Sequence, residues 1–558
     1  MKSFLKLNRY KLFTLGWLIL LILNLYAAKA LEEFGSPLLF ALALLVEIVL
    51  MGFFSYGLIR SLATPESILK SLLVSAGQGL ATNVYIKKLG KSPLLLWLRR
   101  RLRKDSPYGL PLTLTLLITA LLLISFIGVL NSVVSRDVFT QTDTRVLNLM
   151  PSIRTPTQTT FFRFITFLAN TQTAILLTLT TAAIFWRKRQ KLLAALVIFV
   201  AGAEEVIVFV IKHLDKRMRP DQTLRLIKED SYSFPSGHAV SATILFGLLA
   251  YFIFKTYKSS RARILTVTTY ILAVFLVALS RVYLGVHYPT DVWGSVLLGG
   301  AMLSLIIGAI EISSRYNVGR LAKVKLINKE LLAVPLVLII FSLIAAPFLV
   351  RLQPVSFMPG YIPLPAVNEN TVKKLPLYSE TLTGSRMEPI SFVYIGYEDQ
   401  ISKAFQSHGW YKADPSTIAN TLRAMAVGFQ GRQYPTAPVT PSYLNFKPEN
   451  LAFQQATATH SLRQRHHTRL WRTDYALPDG RPIWVATASF DEGIEFAGAA
   501  KLPTHRINPH IDAERDYIIR SLGLTKVEYL QVVAAQLGKN ASGDAFFTDG
   551  RAVLVELE

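Results

Sequence analysis

The sequence has 558 residues, 51% of them hydrophobic, no cysteine and a formal charge of +24, with a mean hydropathy of +0.37. That apolar excess lies outside the range of an ordinary soluble chain, and the missing cysteines exclude disulfides, thiolate catalysis and cysteine-ligated metals. The positive charge does not point to nucleic acid, because the basic residues cluster at the ends of apolar runs, as they do where charge fixes orientation in a bilayer.

In chain order, apolar runs at 12–28 and 37–58 precede a basic amphipathic stretch at about 64–105 that suits a headgroup surface. Residues 1–108 therefore read as two N-terminal spans and a cytoplasmic segment. Six runs of spanning length follow within 109–312, at 109–134, 161–185, 192–212, 238–255, 264–281 and 290–312. A ninth, 331–350, and the proline-rich linker QPVSFMPGYIPLP at 353–365 fall in a 313–379 segment.

With Lys2, Lys6, Arg9 and Lys11 on the cytoplasmic side, nine spans make every second loop cytoplasmic. Those loops are the basic ones: Lys87 to Lys104, Arg187 to Lys191, Lys255 to Arg263 and Arg315 to Lys329. The expected location is a bacterial cytoplasmic membrane, with everything after Phe348 extracytoplasmic. Ala28-Lys29-Ala30 would also suit a signal-peptide cleavage site; we read the first span as an uncleaved anchor, and cleavage would leave the sidedness downstream unchanged.

Residues 380–558 read as a soluble α+β domain. SFVYIGY, HHTRLWRTDY and PIWVATASF have the composition of strands, the last two flanking a Pro478-Asp479-Gly480 turn, and EDQISKAFQSHGW is an amphipathic helix. The expected fold class is thus an all-α polytopic membrane protein with a C-terminal α+β domain.

Three polar motifs interrupt the spans: Lys212-x6-Arg219-Pro220, Pro235-Ser236-Gly237-His238 and Ser280-Arg281-x5-His287-x3-Asp291. The topology puts all three at extracytoplasmic span ends, so they can converge. Lys212, Arg219 and Arg281 suit phosphate oxygens. Ser236 and Gly237 open an apolar helix, where free backbone amides favour an anion. His287 and Asp291 share a face if that stretch is helical, so the carboxylate can hold the Nδ1 proton and leave Nε2 free to attack phosphorus. His238, from another segment, can protonate the leaving oxygen. Two imidazoles and a carboxylate suggest double displacement through a phosphohistidine.

These motifs resemble those of the type 2 phosphatidic acid phosphatase family, whose site is also that of vanadium haloperoxidases. The resemblance covers about 109–312. It implies a six-helix core, metal-independent phosphatase activity without a cofactor, and a membrane lipid phosphate or diphosphate as substrate: undecaprenyl diphosphate, phosphatidic acid, phosphatidylglycerol phosphate or a lipid A phosphate. It assigns phosphate binding to Lys212, Arg219, Ser236, Gly237 and Arg281, acid catalysis to His238, nucleophilic attack to His287 and orientation of that ring to Asp291. A phosphotransferase would use the same first half-reaction, and a non-catalytic lipid-binding envelope protein could keep the grip alone. The tail, through RHHTRLWRT, ASFDEGIEF and THRINPHIDAERD, resembles the LssY C-terminal domain, which brings no assigned chemistry.

Glu204 and Glu205 lie inside a span, an expensive place for a carboxylate. Glu205, seven residues before Lys212 and nearly on its helix face, is expected either to tune the site or to make a buried polar contact. The tail's His408, His460, His466, His467, His505 and His510 have no recognised metal spacing. With the arginines around them they suit a structural role, or an anionic headgroup or glycan, better than a metal.

Overall fold

The computed structural model describes residues 100–316, 329–352, 361–430, 432–457, 464–497, 502–540 and 545–557, with isolated positions from 93. The spans expected at 12–28 and 37–58, most of the basic stretch and the first part of the linker lie outside them. The chain forms two units, one containing the described chain up to Ser135 and Thr155–Pro354, the other containing Arg136–Arg154 and Val355–Glu558.

The first unit is a helical bundle. Its elements are α1 (Leu110–Ser135), then, beyond α2 (Val138–Ile153) of the second unit, α3 (Pro156–Phe167), α4 (Thr171–Arg187) and α5 (Lys191–Asp215). They are followed by α6 (Gly237–Thr256), α7 (Ser260–Tyr283), α8 (Pro289–Tyr316) and α9 (Lys329–Leu349). Among the described residues six of these helices are long and apolar enough to cross a membrane, and a bent pair makes a seventh if counted as one span.

That pair is where the expected run 161–185 differs. It is broken between α3 and α4 with a 45° bend, because Asn170 caps α4, its Oδ1 accepting from the Thr173 amide at 3.0 Å.

The outward faces carry the large apolar residues, such as Leu117, Leu121 and Ile124 of α1 and Phe199 and Phe209 of α5, as a bilayer requires. Inward, small residues set the helix spacing. A Cβ on Gly299 of α8 would lie 2.8 Å from Thr243 Cβ of α6, and one on Gly308 would lie 2.3 Å from Thr115 Cγ2 of α1. α6 is the central helix, with Ala239, Val240, Ala242, Ile244 and Phe252 wholly buried, and one π turn at Ala242–Phe246.

The second unit is built on one mixed sheet. Its path runs β6 (Glu528–Gln531), β7 (Arg551–Glu556), β1 (Phe392–Ile395), β5 (Pro482–Ala497), β4 (Arg465–Ala476), β3 (Leu451–Ala456) and β2 (Tyr411–Lys412). Alternation along the strands produces two apolar faces. One carries Val393, Ile395, Trp471, Ile483 and Val485. The other carries Phe392, Tyr394, Leu470, Trp484 and Ala486, covered by Ile401 and Phe405 of α10 (Glu398–Gln406), Ile518 of α11 (Ile511–Ser521) and Leu522 just after it.

The reading of 109–312 as one block misses α2, which belongs with the second unit. Its buried Arg145 pairs with Glu380 at 2.6 Å and lies 4.4 Å over the Phe446 ring. Asn148 Nδ2 donates to the Phe446 carbonyl at 2.8 Å.

The close approach of α8 to α1 generates a test. Gly308→Val should overpack that contact and destabilise the protein by about 1–3 kcal/mol, read as a lower thermal midpoint in detergent. Gly202→Val, where a Cβ meets nothing within 4 Å, should leave the midpoint nearly unchanged.

Candidate active site at one end of the bundle

All three motifs meet where α5 ends, α6 begins and α7 passes into α8. Val350 at the end of α9 packs against Tyr283, Leu284 and Val286, so the chain leaves the bundle at that same end.

Asp291 is the centre of the arrangement. It sits in the first turn of α8, favoured there by the helix dipole, and its side chain is wholly buried. Oδ1 accepts from Arg217 Nη1 at 2.5 Å; Oδ2 accepts from Ser233 Oγ and, at 2.9 Å, from the Tyr288 amide. Oδ2 also faces His287 Nδ1 at 3.4 Å.

On the other side of that ring, Arg219 Nη1 lies 3.2 Å from His287 Nε2. A guanidinium can only donate, so Nε2 is the acceptor and the ring proton is on Nδ1, toward Asp291. Burial, then the charges of Arg219, Arg281 and Lys212, hold the His287 imidazole well below its ordinary pKa, which keeps the Nε2 lone pair available at neutral pH.

The remaining cations are held by the loop between α5 and α6. Lys212 donates to Ser231 Oγ at 3.2 Å and to the Tyr232 carbonyl. Arg219 donates through Nε to the Ser231 carbonyl at 2.5 Å, through Nη2 to Ser231 Oγ at 2.9 Å and through Nη1 to the Val286 carbonyl at 2.8 Å. Arg281, 1% exposed, donates to Thr166 Oγ1 at 2.7 Å and pairs with Glu229, whose other oxygen is 3.5 Å from Arg219. Burial raises the Glu229 carboxyl, but Arg281, His238 and Arg219 outweigh it and keep the group ionised below the usual carboxylate range.

Ser236 departs from expectation. Its amide, read from sequence as an anion donor, donates instead to Ser295 Oγ at 2.7 Å, and Ser295 Oγ in turn donates to the Asp291 carbonyl at 2.6 Å. What Ser236 leaves available is its hydroxyl, wholly buried and without a hydrogen-bond partner. At Gly237 an added Cβ would meet only Val208 Cγ1, at 3.9 Å. His238, half-buried in the first turn of α6, is within electrostatic reach of Glu229.

Sequence reasoning missed Arg217, Ser231, Ser233, Ser295 and Glu229. Arg217 lies inside the Lys212 to Arg219 interval, where it reads as one more loop cation. Glu229 sits in a polar loop that carries no spacing signal. The expectation for Glu205 is corrected: Glu204 is the buried carboxylate, bonded to Ser241 of α6, while Glu205 is on the outer surface of α5. The burial rhythm Val197, Val200, Glu204, Val208 explains this, since it is the 3.6-residue stripe facing the bundle.

Residues 191–313, which hold all three motifs, match the PAP2 superfamily, and residues 372–552 match the family described as LssY C-terminus. The two matches cover separate parts of the chain, the helical bundle and the C-terminal sheet domain. The chain is 37% identical over 135 residues to phosphatidylglycerophosphatase B of Bacillus subtilis, covering 24% of this chain and 64% of that protein. It is 37% identical over 123 residues to decaprenylphosphoryl-5-phosphoribose phosphatase of Mycobacterium tuberculosis, covering 22% of this chain and 61% of that protein. The chain thus spans less than two thirds of each of these relatives. A solved structure, the transmembrane PAP2 type phosphatidylglycerolphosphate phosphatase from Bacillus subtilis, is 27% identical over 36% of this chain and 98% of its own, with a TM-score of 0.33.

Arg217 pairs with Asp291, Arg219 and Arg281 pair with Glu229, and Lys212 lies within electrostatic reach of both carboxylates, so four cations face two anions. Removing Glu229 should therefore increase the pocket's appetite for an external anion. Glu229→Gln should tighten orthovanadate binding about tenfold, equivalent to about 1.4 kcal/mol, by calorimetry in detergent. Unchanged or weaker binding would mean that Glu229 does not compete with the anion.

Proposed function

We propose that the chain is an integral membrane phosphatase acting on lipid phosphates or diphosphates at the extracytoplasmic face, through a phosphohistidine on His287. The observation that carries this reading is the His287 ring itself. Its tautomer is fixed between Asp291 and Arg219, and its unprotonated Nε2, which accepts from Arg219, faces a cluster with more guanidinium and ammonium charge than carboxylate.

In this reading Lys212, Arg219 and Arg281 hold the phosphate oxygens, joined by the Ser236 hydroxyl and the amide of Gly237. Nε2 attacks phosphorus, the P–N bond forms as the P–O bond to the lipid breaks, and His238 gives its proton to the departing oxygen. Water then attacks the phosphohistidine and returns a proton to His238; the P–N electron pair goes back to Nε2. Asp291 stabilises the positive charge that develops on the ring. The side chains alone supply positive charge around the phosphorus, so no metal or cofactor enters a step.

The basic loops on alternate sides and the motifs at one bundle end support the extracytoplasmic assignment. The relatives' names attach to phosphatidylglycerophosphate and to decaprenylphosphoryl-5-phosphoribose, both lipid-linked phosphates.

The test is phosphate release from a lipid panel in detergent, with and without chelator. His287→Ala should lose at least ~10³-fold in kcat, and chelator should change little. Full activity in His287→Ala, or complete loss in chelator, would overturn the mechanism. His238→Ala should lose about 10²–10⁴-fold on alkyl phosphates but much less on an activated aryl ester, whose leaving oxygen needs no proton. Equal losses on both would remove His238 from the acid role.

A further inference from the structure

The two imidazoles of the bundle site are held in different ways. The His287 ring is fixed through its own nitrogens, between Asp291 and Arg219. The His238 ring makes no hydrogen bond among the described residues, so its direction is set by the backbone turn that carries it. A π turn at Ala242–Phe246 follows that turn directly, so the first turn of α6 does not simply continue the α-helical ladder beyond it.

Three neighbouring helices hold this stretch. Ser295 of α8 takes the Ser236 amide at 2.7 Å, and Tyr270 of α7 donates to the Thr243 carbonyl at 3.1 Å. From α5 comes Glu204, whose Oε1 accepts from Ser241 Oγ. Ser241 is three residues after His238, its neighbour one turn along the helix surface. On α5 the buried stripe continues from Glu204 through Val208 to Lys212. Glu204 meets Ser241, Val208 Cγ1 lies 3.9 Å from where a Gly237 Cβ would be, and Lys212 enters the site. Among the described residues the Glu204–Ser241 contact is the only hydrogen bond between α5 and α6.

Packing alone does not account for this carboxyl group. The interior of a span is an unfavourable place for it, and it is only half satisfied, because Oε2 is buried without a hydrogen-bond partner. Ser241 does not depend on it either, since a helical serine can bond the carbonyl four residues back. An apolar side chain would continue the stripe of Val197, Val200 and Val208 with no polar group to desolvate. What Glu204 adds over such a residue is direction: it fixes the rotation and height of the first turn of α6 against the helix that carries Lys212.

We propose that Glu204 is a positioning residue for the proton donor, holding the first turn of α6 through Ser241 so that the His238 ring faces the phosphate gripped by Lys212. The proposal rests on the phosphatase reading, with His238 as the acid. Glu204 touches neither the substrate nor the reacting atoms. Its removal should tilt the donor and leave the grip intact, which lowers kcat with little change in KM. The loss should appear only where the leaving oxygen needs a proton.

The test uses the full chain in detergent, with dihexanoyl phosphatidic acid and an activated aryl phosphate as substrates. Glu204→Met, apolar and of similar length, should lose about 10–100-fold in kcat on phosphatidic acid, as expected of a donor displaced by about 1 Å. It should change little on the aryl ester and keep a thermal midpoint equal to or above that of the unmodified chain. Glu204→Gln keeps an acceptor for Ser241 and should recover most of the phosphatidic acid rate. In a His238→Ala background Glu204→Met should have no further effect, because the group it positions is gone. Equal losses on both substrates, a full additional loss in the His238→Ala background, or a Glu204→Gln as slow as Glu204→Met would overturn the proposal.

If Glu204→Met does not fold, Ser241→Ala breaks the same bond from the other side and should be slow on phosphatidic acid alone; an unchanged rate there would refute the proposal. The acid role is separated by His238→Ala. Equal losses on both substrates in that variant remove the acid role and the proposal with it. A His238→Ala that discriminates between them, beside a Glu204→Met that does not, removes the proposal alone.

Discussion

The arrangement at the end of the bundle depends on one buried carboxylate. Asp291 is fully enclosed, yet it faces Arg217, Ser233, the Tyr288 amide and His287 at once. An enclosed charge is tolerated only when its lone pairs are satisfied and an opposite charge is close. Those demands fix where the other groups can be: Arg217 folds back over α8, Ser233 anchors the loop before α6, and the His287 ring is held edge-on to the carboxylate. Ser295, one turn further along α8, links the Asp291 carbonyl to the Ser236 amide. The motif on α6 is thereby tied to the motif on α8.

A concentration of cations would be costly in this setting if left unanswered. In the structure the loop from Glu229 to Tyr232 answers it, with a carboxylate for Arg281 and Arg219 and a serine and a carbonyl for Lys212. The same groups that would grip a phosphate are thus kept in place by protein groups of similar polarity. Preorganisation of this kind costs no rearrangement of the cations themselves, only displacement of the loop contacts.

Much of this was legible in the sequence, and the unevenness has physical causes. Hydropathy marks a spanning helix because the bilayer demands a long apolar run, and runs such as 109–134 and 290–312 correspond to α1 and α8. It marks bends poorly: Asn170 inside the run 161–185 looks like a tolerated polar residue, but its side chain caps a new helix. It also hid α2, whose buried Arg145 finds its partner, Glu380, 235 residues away in the sequence. Motif spacing exposed Lys212, Arg219, His238, Arg281, His287 and Asp291, because each belongs to a short fixed interval. Glu229 and Ser231 act through a loop whose path no periodicity records, and a backbone amide such as that of Ser236 can change partner without any sequence sign.

A second Asp–His–Arg line, Asp491, His467 and Arg469 in the C-terminal domain, sharpens what a histidine between a carboxylate and an arginine can do. In both, the ring is neutral, oriented, and presents Nε2 to a guanidinium. What separates them is a second imidazole. His238 reaches the bundle site from a different helix, so a nucleophile and a proton donor can act on opposite sides of one phosphorus. In the C-terminal domain the adjacent histidine, His466, is one residue away on β4 and therefore on the opposite face, where it stacks on Tyr517 and bonds to Glu514 at 2.8 Å. Strand alternation thus keeps the second line to a single imidazole on its face, whereas helix convergence brings two imidazoles to the first.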